Sequence, residues 1–198
     1  MGAGAEAVDA EAIWKPPVSV VQEIKSKCTA SNGFSFQDCF IRGMEKAGAS
    51  PSAVAFMRRS DGGYLREFWR VGPVDIAYVT YPFRANENEG ILLVNGTPAS
   101  VDVDNQQLLS KAELAQNPVY AALAKQYPRI TLWPGDRNRT DDLVIKALPQ
   151  RGRRFVVRYR LQNLCHACAV VGSAQFGFDF DQSGRFLGTK LLQVSASQ

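Results

Sequence analysis

The sequence predicts an α+β fold: N-terminal helices followed by a curved antiparallel β-sheet with one inserted helix and a C-terminal three-stranded meander. Three observations carry this. Apolar residues recur at helical spacing up to Gly62 and give way, from Tyr64, to β-branched and aromatic runs. Those runs are joined by short turn signals, which favours antiparallel pairing over a parallel βαβ sheet. From Arg154 onward the alternation of apolar and polar residues is nearly continuous.

Residues 1–13 are Ala-rich and acidic and read as a disordered leader, with residues 14–198 as a single α+β domain. Pro16 and Pro17 mark the entry to structure, because neither fits a helix interior. Val20, Val21, Ile24 and Cys28 then share one helical face, and Asn32-Gly33 breaks the helix. Ser35 is placed to cap a second helix with Phe36, Cys39, Phe40, Met44 and Ala47 inward and Gly48 as its stop. Ser50 caps a third, Pro51 takes its first position, Val54, Phe56 and Met57 face inward, and Asp61-Gly62-Gly63 ends it.

Strands follow at Tyr64–Val71 and Val74–Tyr81 across Gly72-Pro73. Ile91–Val94 and Thr97–Val103 flank Asn95-Gly96, the pair preferred in a type I′ turn, and Pro98 makes the second arm an edge strand. Asp104 or Asn105 opens a helix with Leu108, Leu109, Leu114 and Ala115, which Pro118 divides from a part carrying Tyr120, Leu123 and Tyr127. Arg129–Trp133 reads as a short strand ended by Pro134-Gly135, and 136–142 as a charged loop. The meander is Arg154–Gln162, a run through Ala174, Phe176, Phe178 and Phe180, and Arg185–Val194, with a turn at Asp181–Gly184.

Composition bounds the function. The 198 residues are 45% hydrophobic and 21% charged, which is ordinary for a folded chain. The net charge of +4 comes without a dense basic block, so no nucleic-acid partner is expected. The sparse stripe Arg151, Arg153, Arg154, Arg158 and Arg160 has the pattern of a strand's solvated face more than of a phosphate site. No apolar run is long enough for a transmembrane segment. The N-terminus lacks the charged and apolar regions of a signal peptide, and Glu6 stands where myristoylation needs Ser or Thr.

The four cysteines form two close pairs, Cys28 with Cys39 and Cys165 with Cys168. Three connectivities are formally open, and pairing within each cluster is the simplest. A Cys28–Cys39 bridge would staple two helices and contribute about 3 kcal/mol in the chain-entropy model. Disulfides persist in oxidising compartments, so the chain is expected to be periplasmic or secreted, with its signal peptide outside this sequence. The competing reading is four reduced, buried thiols in a cytosolic protein.

Cys165-His166-Ala167-Cys168 is the most specific local motif. A redox centre needs a thiolate, and His166 beside the pair could stabilise one. Both flanks read as strand, however, where thioredoxin-like proteins need a strand-to-helix junction, so a structural hairpin bridge is favoured. Zinc is disfavoured because Cys28 and Cys39 are too far apart for a knuckle. Covalent haem is excluded by Ala169, where the attachment motif needs His. Asp179, Asp181, Ser183 and Gly184 resemble the front half of a calcium loop, but Lys190 replaces the closing Glu. Asn95-Gly96-Thr97 and Asn138-Arg139-Thr140 match the glycosylation pattern. His166 is the only histidine, and no nucleophile elbow, Walker loop or dinucleotide fingerprint is present. Asp102 with Asp104 and Asp141 with Asp142 are possible acid/base pairs, equally suited to a strand face and a loop. Trp133 beside Arg137 combines an aromatic plate with a guanidinium, a candidate grip for an anionic or planar ligand.

These observations predict an exported domain that binds a small-molecule ligand or protein partner, stabilised by two local disulfides, with no metal or cofactor implied. The alternative is a thiol-disulfide oxidoreductase or redox sensor using Cys165 and Cys168, tuned by His166. Whether the chain is an enzyme stays open.

Overall fold

The structure is a computed structural model describing residues 7–29, 35–84, 88–134, 143–165 and 167–197. Among these residues the order is α1 (Val18–Thr29), α2 (Phe36–Lys46), α3 (Pro51–Arg59), β1 (Tyr64–Trp69), β2 (Asp75–Thr80), β3 (Glu89–Val94), β4 (Ser100–Asp102), α4 (Lys111–Gln116), α5 (Pro118–Gln126), β5 (Ile130–Pro134), β6 (Leu143–Ala147), β7 (Arg153–Asn163), β8 (Val170–Phe180) and β9 (Phe186–Ala196). The fold is α+β, with N-terminal helices and a C-terminal meander. The strands make two antiparallel sheets, ordered β1-β2-β3-β4 and β5-β7-β8-β9, with β6 also paired to β7. The two short helices after β4 interrupt the strand runs, and pairing resumes among the later strands alone. Packing divides the chain into two compact units, Met1–Asn95 and Gly96–Gln198.

In the first unit, each helix is set by the residue before it. Pro17 accepts the first bond of α1 from the Val20 amide at 3.0 Å. Ser35 Oγ accepts from the Asp38 amide at 3.2 Å, and Ser50 Oγ from the Ala53 amide at 3.0 Å with Pro51 behind it. Gly48 (φ +80°) and Gly62 (φ +81°) follow α2 and α3 in the left-handed conformation that glycine adopts without steric cost. The inner face of α2 is Phe40, Ile41 and Met44, whereas Phe36 and Ala47, expected inside, are exposed. Phe36 begins the helix and lies against Phe83, with ring centroids 5.6 Å apart. Trp14, Phe40, Met44, Met57 and Tyr64 form the centre of this packing, with Trp14 edge-on to Tyr64 at 5.1 Å.

Residues 7–13, expected to belong to the leader, are structured. Asp9 caps a 3₁₀ turn at Ala10–Ala12, and Val8 and Ala12 are buried against Phe56, Leu65 and Leu92. Composition misreads this stretch because alanine's small side chain suits a close approach. Asn95 fixes the segment: its Oδ1 accepts from the Val8 amide at 2.7 Å, and its Nδ2 donates to the Val8 carbonyl and to Asp75 Oδ2, each at 2.8 Å. Buried Asp75 also accepts from the Val71 and Gly72 amides, closing the β1–β2 turn. The predicted type I′ turn is absent. Asn95 has φ +67° but Gly96 is not in the positive-φ region, and β4 starts only at Ser100, beyond Pro98.

In the second unit, Phe155, Val157, Tyr159 and Leu161 of β7 and Ala174, Phe176, Phe178 and Phe180 of β8 share the buried sheet face, as their alternation predicts. Tyr159 is fully buried and donates its hydroxyl to the Val103 carbonyl at 2.5 Å. The inserted helix is divided before Pro118 as expected, into α4 and α5, but it starts later: Asn105 caps only a 3₁₀ turn, Ser110 precedes α4, and Asn117 with Pro118 starts α5. Glu113 of α4 accepts from the Leu191 amide at 2.7 Å, and Thr189 donates to the Leu108 carbonyl, which satisfies polar groups of β9. The sequence reading has no strand at β6, because Leu143, Val144 and Ile145 form an apolar run without alternation.

Candidate functional site

The first candidate is a cleft of about 420 Å³ along the seam of α1 and α2. Its geometry follows from helical spacing. Val20, Ile24 and Cys28 lie on one stripe of α1, and Cys39, Gly43 and Ala47 on the matching stripe of α2. The helices run antiparallel, bridged at Cys28–Cys39 with Cα atoms 5.6 Å apart. Their approach is close at Gly43, where an added Cβ would lie 2.5 Å from Ile24 Cγ2. Cys28 is 2% exposed and belongs to the core.

The walls of this trough are charged. Glu23 and Lys27 flank it on α1, and Arg42 and Lys46 on α2. Lys27 Nζ donates to Glu23 Oε1 at 2.6 Å, and that bond lowers the Glu23 pKa. The α1 wall therefore holds an internally neutralised pair, whereas the lining as a whole has two more cations than carboxylates. The arrangement offers an apolar floor between walls that carry charge, a composition a ligand pocket can have. Neither Arg42 nor Lys46 is apparent as a site residue in the sequence. The signal that could reveal them is their i,i+4 spacing, offset by one from Gly43 and Ala47.

The second candidate is the tip of the β7–β8 hairpin. Cys165 and Cys168 are bonded there, with Cα atoms 5.0 Å apart. Cys165 is exposed and Cys168 half-buried, and the Cys168 amide donates to the Cys165 carbonyl at 2.9 Å. The pair sits in a turn and not at a helix N-terminus, so no helix dipole favours a thiolate. His166 lies outside the described residues.

The structure brings this turn to the same sheet as Trp133. Trp133 is directly opposite Arg160 in the β5–β7 register, on the face away from Tyr159 and Leu161. Gln162, on the same face of β7, donates its amide to the Cys168 carbonyl at 3.2 Å. Trp133 Nε1 donates to Thr131 Oγ1 at 2.8 Å, and Arg160 donates weakly to the Pro134 carbonyl at 3.4 Å. The guanidinium facing Trp133 across the sheet is thus Arg160. Arg137, the expected partner, lies outside the described residues, as do the loop 136–142, Asn138 and the Asp141–Asp142 pair.

The remaining motifs have structural employment. Asp179 takes a bidentate pair from Arg154, both bonds at 2.6 Å, which raises the guanidinium's pKa. Asp181 accepts from the Ser183 hydroxyl at 2.6 Å and from the Ser183 and Arg185 amides, which hold its pKa at about 2. The carboxylates of the calcium-like run are occupied in this way. Asp102 accepts from the Asp104 amide, a local turn contact. Asn95, within one glycosylation match, directs its amide nitrogen to Val8 and Asp75. Among the described residues, no group of three or more His, Cys, Asp or Glu side chains is placed to hold a metal, and no helix is long and apolar enough to cross a membrane. Two disulfide-bonded pairs are compatible with an oxidising environment. Comparison with protein-family models, curated proteins and solved structures finds no match to this chain.

Proposed function

We propose that the protein is an exported binding domain, periplasmic or secreted, whose ligand sits in the trough between α1 and α2. The observation that supports this reading most is the trough itself: about 420 Å³, within the size range of small-molecule sites, with an apolar floor and a few convergent polar groups. The Cys28–Cys39 bridge ties the two helices that form it, so a covalent constraint coincides with the binding surface. Preorganisation of that kind reduces the ordering cost of binding.

The test is a titration of the oxidised chain with the neutral fluorophore N-phenyl-1-naphthylamine. Saturable fluorescence enhancement is expected, and Ala47→Trp, which fills the seam from an exposed position, should abolish it. Enhancement that does not saturate, or that survives Ala47→Trp unchanged, would sink the reading.

A second reading, thiol-disulfide exchange at Cys165 and Cys168, is favoured by one observation: Cys165 is exposed. Thiol mapping across glutathione redox buffers separates the two. A Cys165–Cys168 couple near about −120 to −270 mV supports exchange, and resistance below roughly −300 mV marks a staple.

A further inference from the structure

We infer that the outer face of the second sheet takes a linear polyanionic glycan, a sugar polymer with repeated sulfate or carboxylate groups. The site does not depend on the trough. Phe155, Val157, Tyr159 and Leu161 of β7 turn inward, so Arg154, Arg158 and Arg160 turn outward. Lys146 of β6 lies opposite Arg154, and Lys190 of β9 opposite Gly177, whose other partner is Val156. Directly opposite residues share a face. Cations from three strands therefore meet on one surface, of which the Arg stripe in the sequence is only the β7 part. Asp179 is the one strand carboxylate on this face among the described residues, and Arg154 holds it with two bonds of 2.6 Å. Arg160 is engaged at the Pro134 carbonyl. Neither guanidinium counts toward the site. Lys146, Arg158 and Lys190 are exposed, Arg158 donates to the neutral Ser173 hydroxyl at 3.3 Å, and none of the three has a carboxylate partner among the described residues.

Their spacing selects the ligand. Strand geometry puts their Cα atoms on the order of 12–16 Å apart. A single small anion is held by one of them, whereas a chain of anionic groups engages all three and gains by multivalency. Neutral donors and acceptors lie between the cations: Gln175 opposite Arg158, Gln193 beyond it, and the Ser173 and Ser195 hydroxyls, 2.9 Å apart. Such groups match sugar hydroxyls. A single-stranded nucleic acid needs aromatic faces on which bases stack. Trp133 is the one strand aromatic on this face among the described residues, half-buried and bonded through Nε1 to Thr131.

The experiment titrates the oxidised full chain with a heparin decasaccharide, a heparin disaccharide, neutral dextran and polythymidylate, at several salt concentrations. The decasaccharide should bind saturably, the disaccharide about tenfold or more weakly, and dextran not at all. Lys146→Gln with Arg158→Gln and Lys190→Gln should weaken the decasaccharide by about tenfold, the loss expected from three exposed charge contacts. The same variant should lower the slope of log affinity against log salt by about two. Lys15→Gln with Lys111→Gln and Lys125→Gln removes equal charge outside this sheet and should change affinity by less than about twofold. Gln193→Glu places a carboxylate at an exposed position of the face and should weaken binding in the same direction, an independent check should the triple variant unfold. Equal weakening by the two triple variants overturns the inference, because binding then follows net charge and not this face. Disaccharide binding as tight as that of the decasaccharide overturns the polymer. Polythymidylate binding more tightly than the decasaccharide overturns the glycan and assigns the face to a nucleic acid.

Discussion

Asn95 does with a side chain what a strand does with its backbone: it accepts from and donates to Val8 while holding Asp75. Asn95→Ala leaves a buried carboxylate and two backbone groups short of partners, so a loss of about 3 kcal/mol is expected in urea denaturation. A loss below about 1 kcal/mol would mean that water replaces these bonds freely. Asp181 gives a pH signature. Its folded pKa, about 2, lies below the roughly 3.9 of an unfolded Asp, so its contribution is complete above the unfolded value and is lost as pH falls through about 2. The natural chain should therefore lose stability between about pH 4 and 2 more steeply than Asp181→Asn, whose melting temperature at neutral pH should already be lower. Matching acid limbs for the two would remove Asp181 from the account. At this scale the sequence was partly legible. Asn95 is recognisable as a turn residue, but its main partner is 87 residues away, and no local pattern encodes that.

Helix starts were the most legible elements, because Ser35, Ser50, Pro51 and Pro118 act through their own neighbours. Alternation in β7 and β8 was equally plain, since one face of each is buried. What escaped were β6, with no alternation to detect, and the trough, which needs two helices in register before its charged walls converge. Gly43 tests that seam. Gly→Ala inside a helix ordinarily gains about 1 kcal/mol, but here the new Cβ would lie 2.5 Å from Ile24 Cγ2 and 2.9 Å from Cγ1. Buried, β-branched Ile24 has little room to yield, so Gly43→Ala is expected to be net destabilising by about 1 kcal/mol in urea unfolding. A raised urea midpoint would show that the two helices are looser at this crossing than the contact implies. Gly177 is constrained in the same way, beneath the Arg154 side chain that reaches Asp179, with Arg154 Cδ 2.6 Å from an added Cβ.

For the molecule as a whole, the two disulfides differ in what they constrain. Cys28–Cys39 closes a separation of 11 residues between two helices, whereas Cys165–Cys168 closes only 3 at a hairpin tip. Loop-closure entropy assigns them about 3 and about 2 kcal/mol. Cys28→Ala with Cys39→Ala should therefore lower the urea unfolding free energy more than Cys165→Ala with Cys168→Ala; the reverse order would place the main staple at the hairpin. The fold class followed from the order of periodicities along the chain. The split into two sheets did not, because it depends on which strands pair, and alternation reports a buried face without naming the neighbour.

The Val8–Asn95 link also has a meaning in time. A chain made from its N-terminus cannot close that link until Asn95 has emerged, 87 residues after Val8, which at ordinary rates of synthesis is several seconds, roughly 4 to 17. Through that interval the Val8 amide and carbonyl lack the partner that later holds them, and the apolar surface meant to bury Val8 and Ala12 is still being made. The Val8 segment is thus made well before the residue that secures it, and until then it is open to whatever receives a nascent chain.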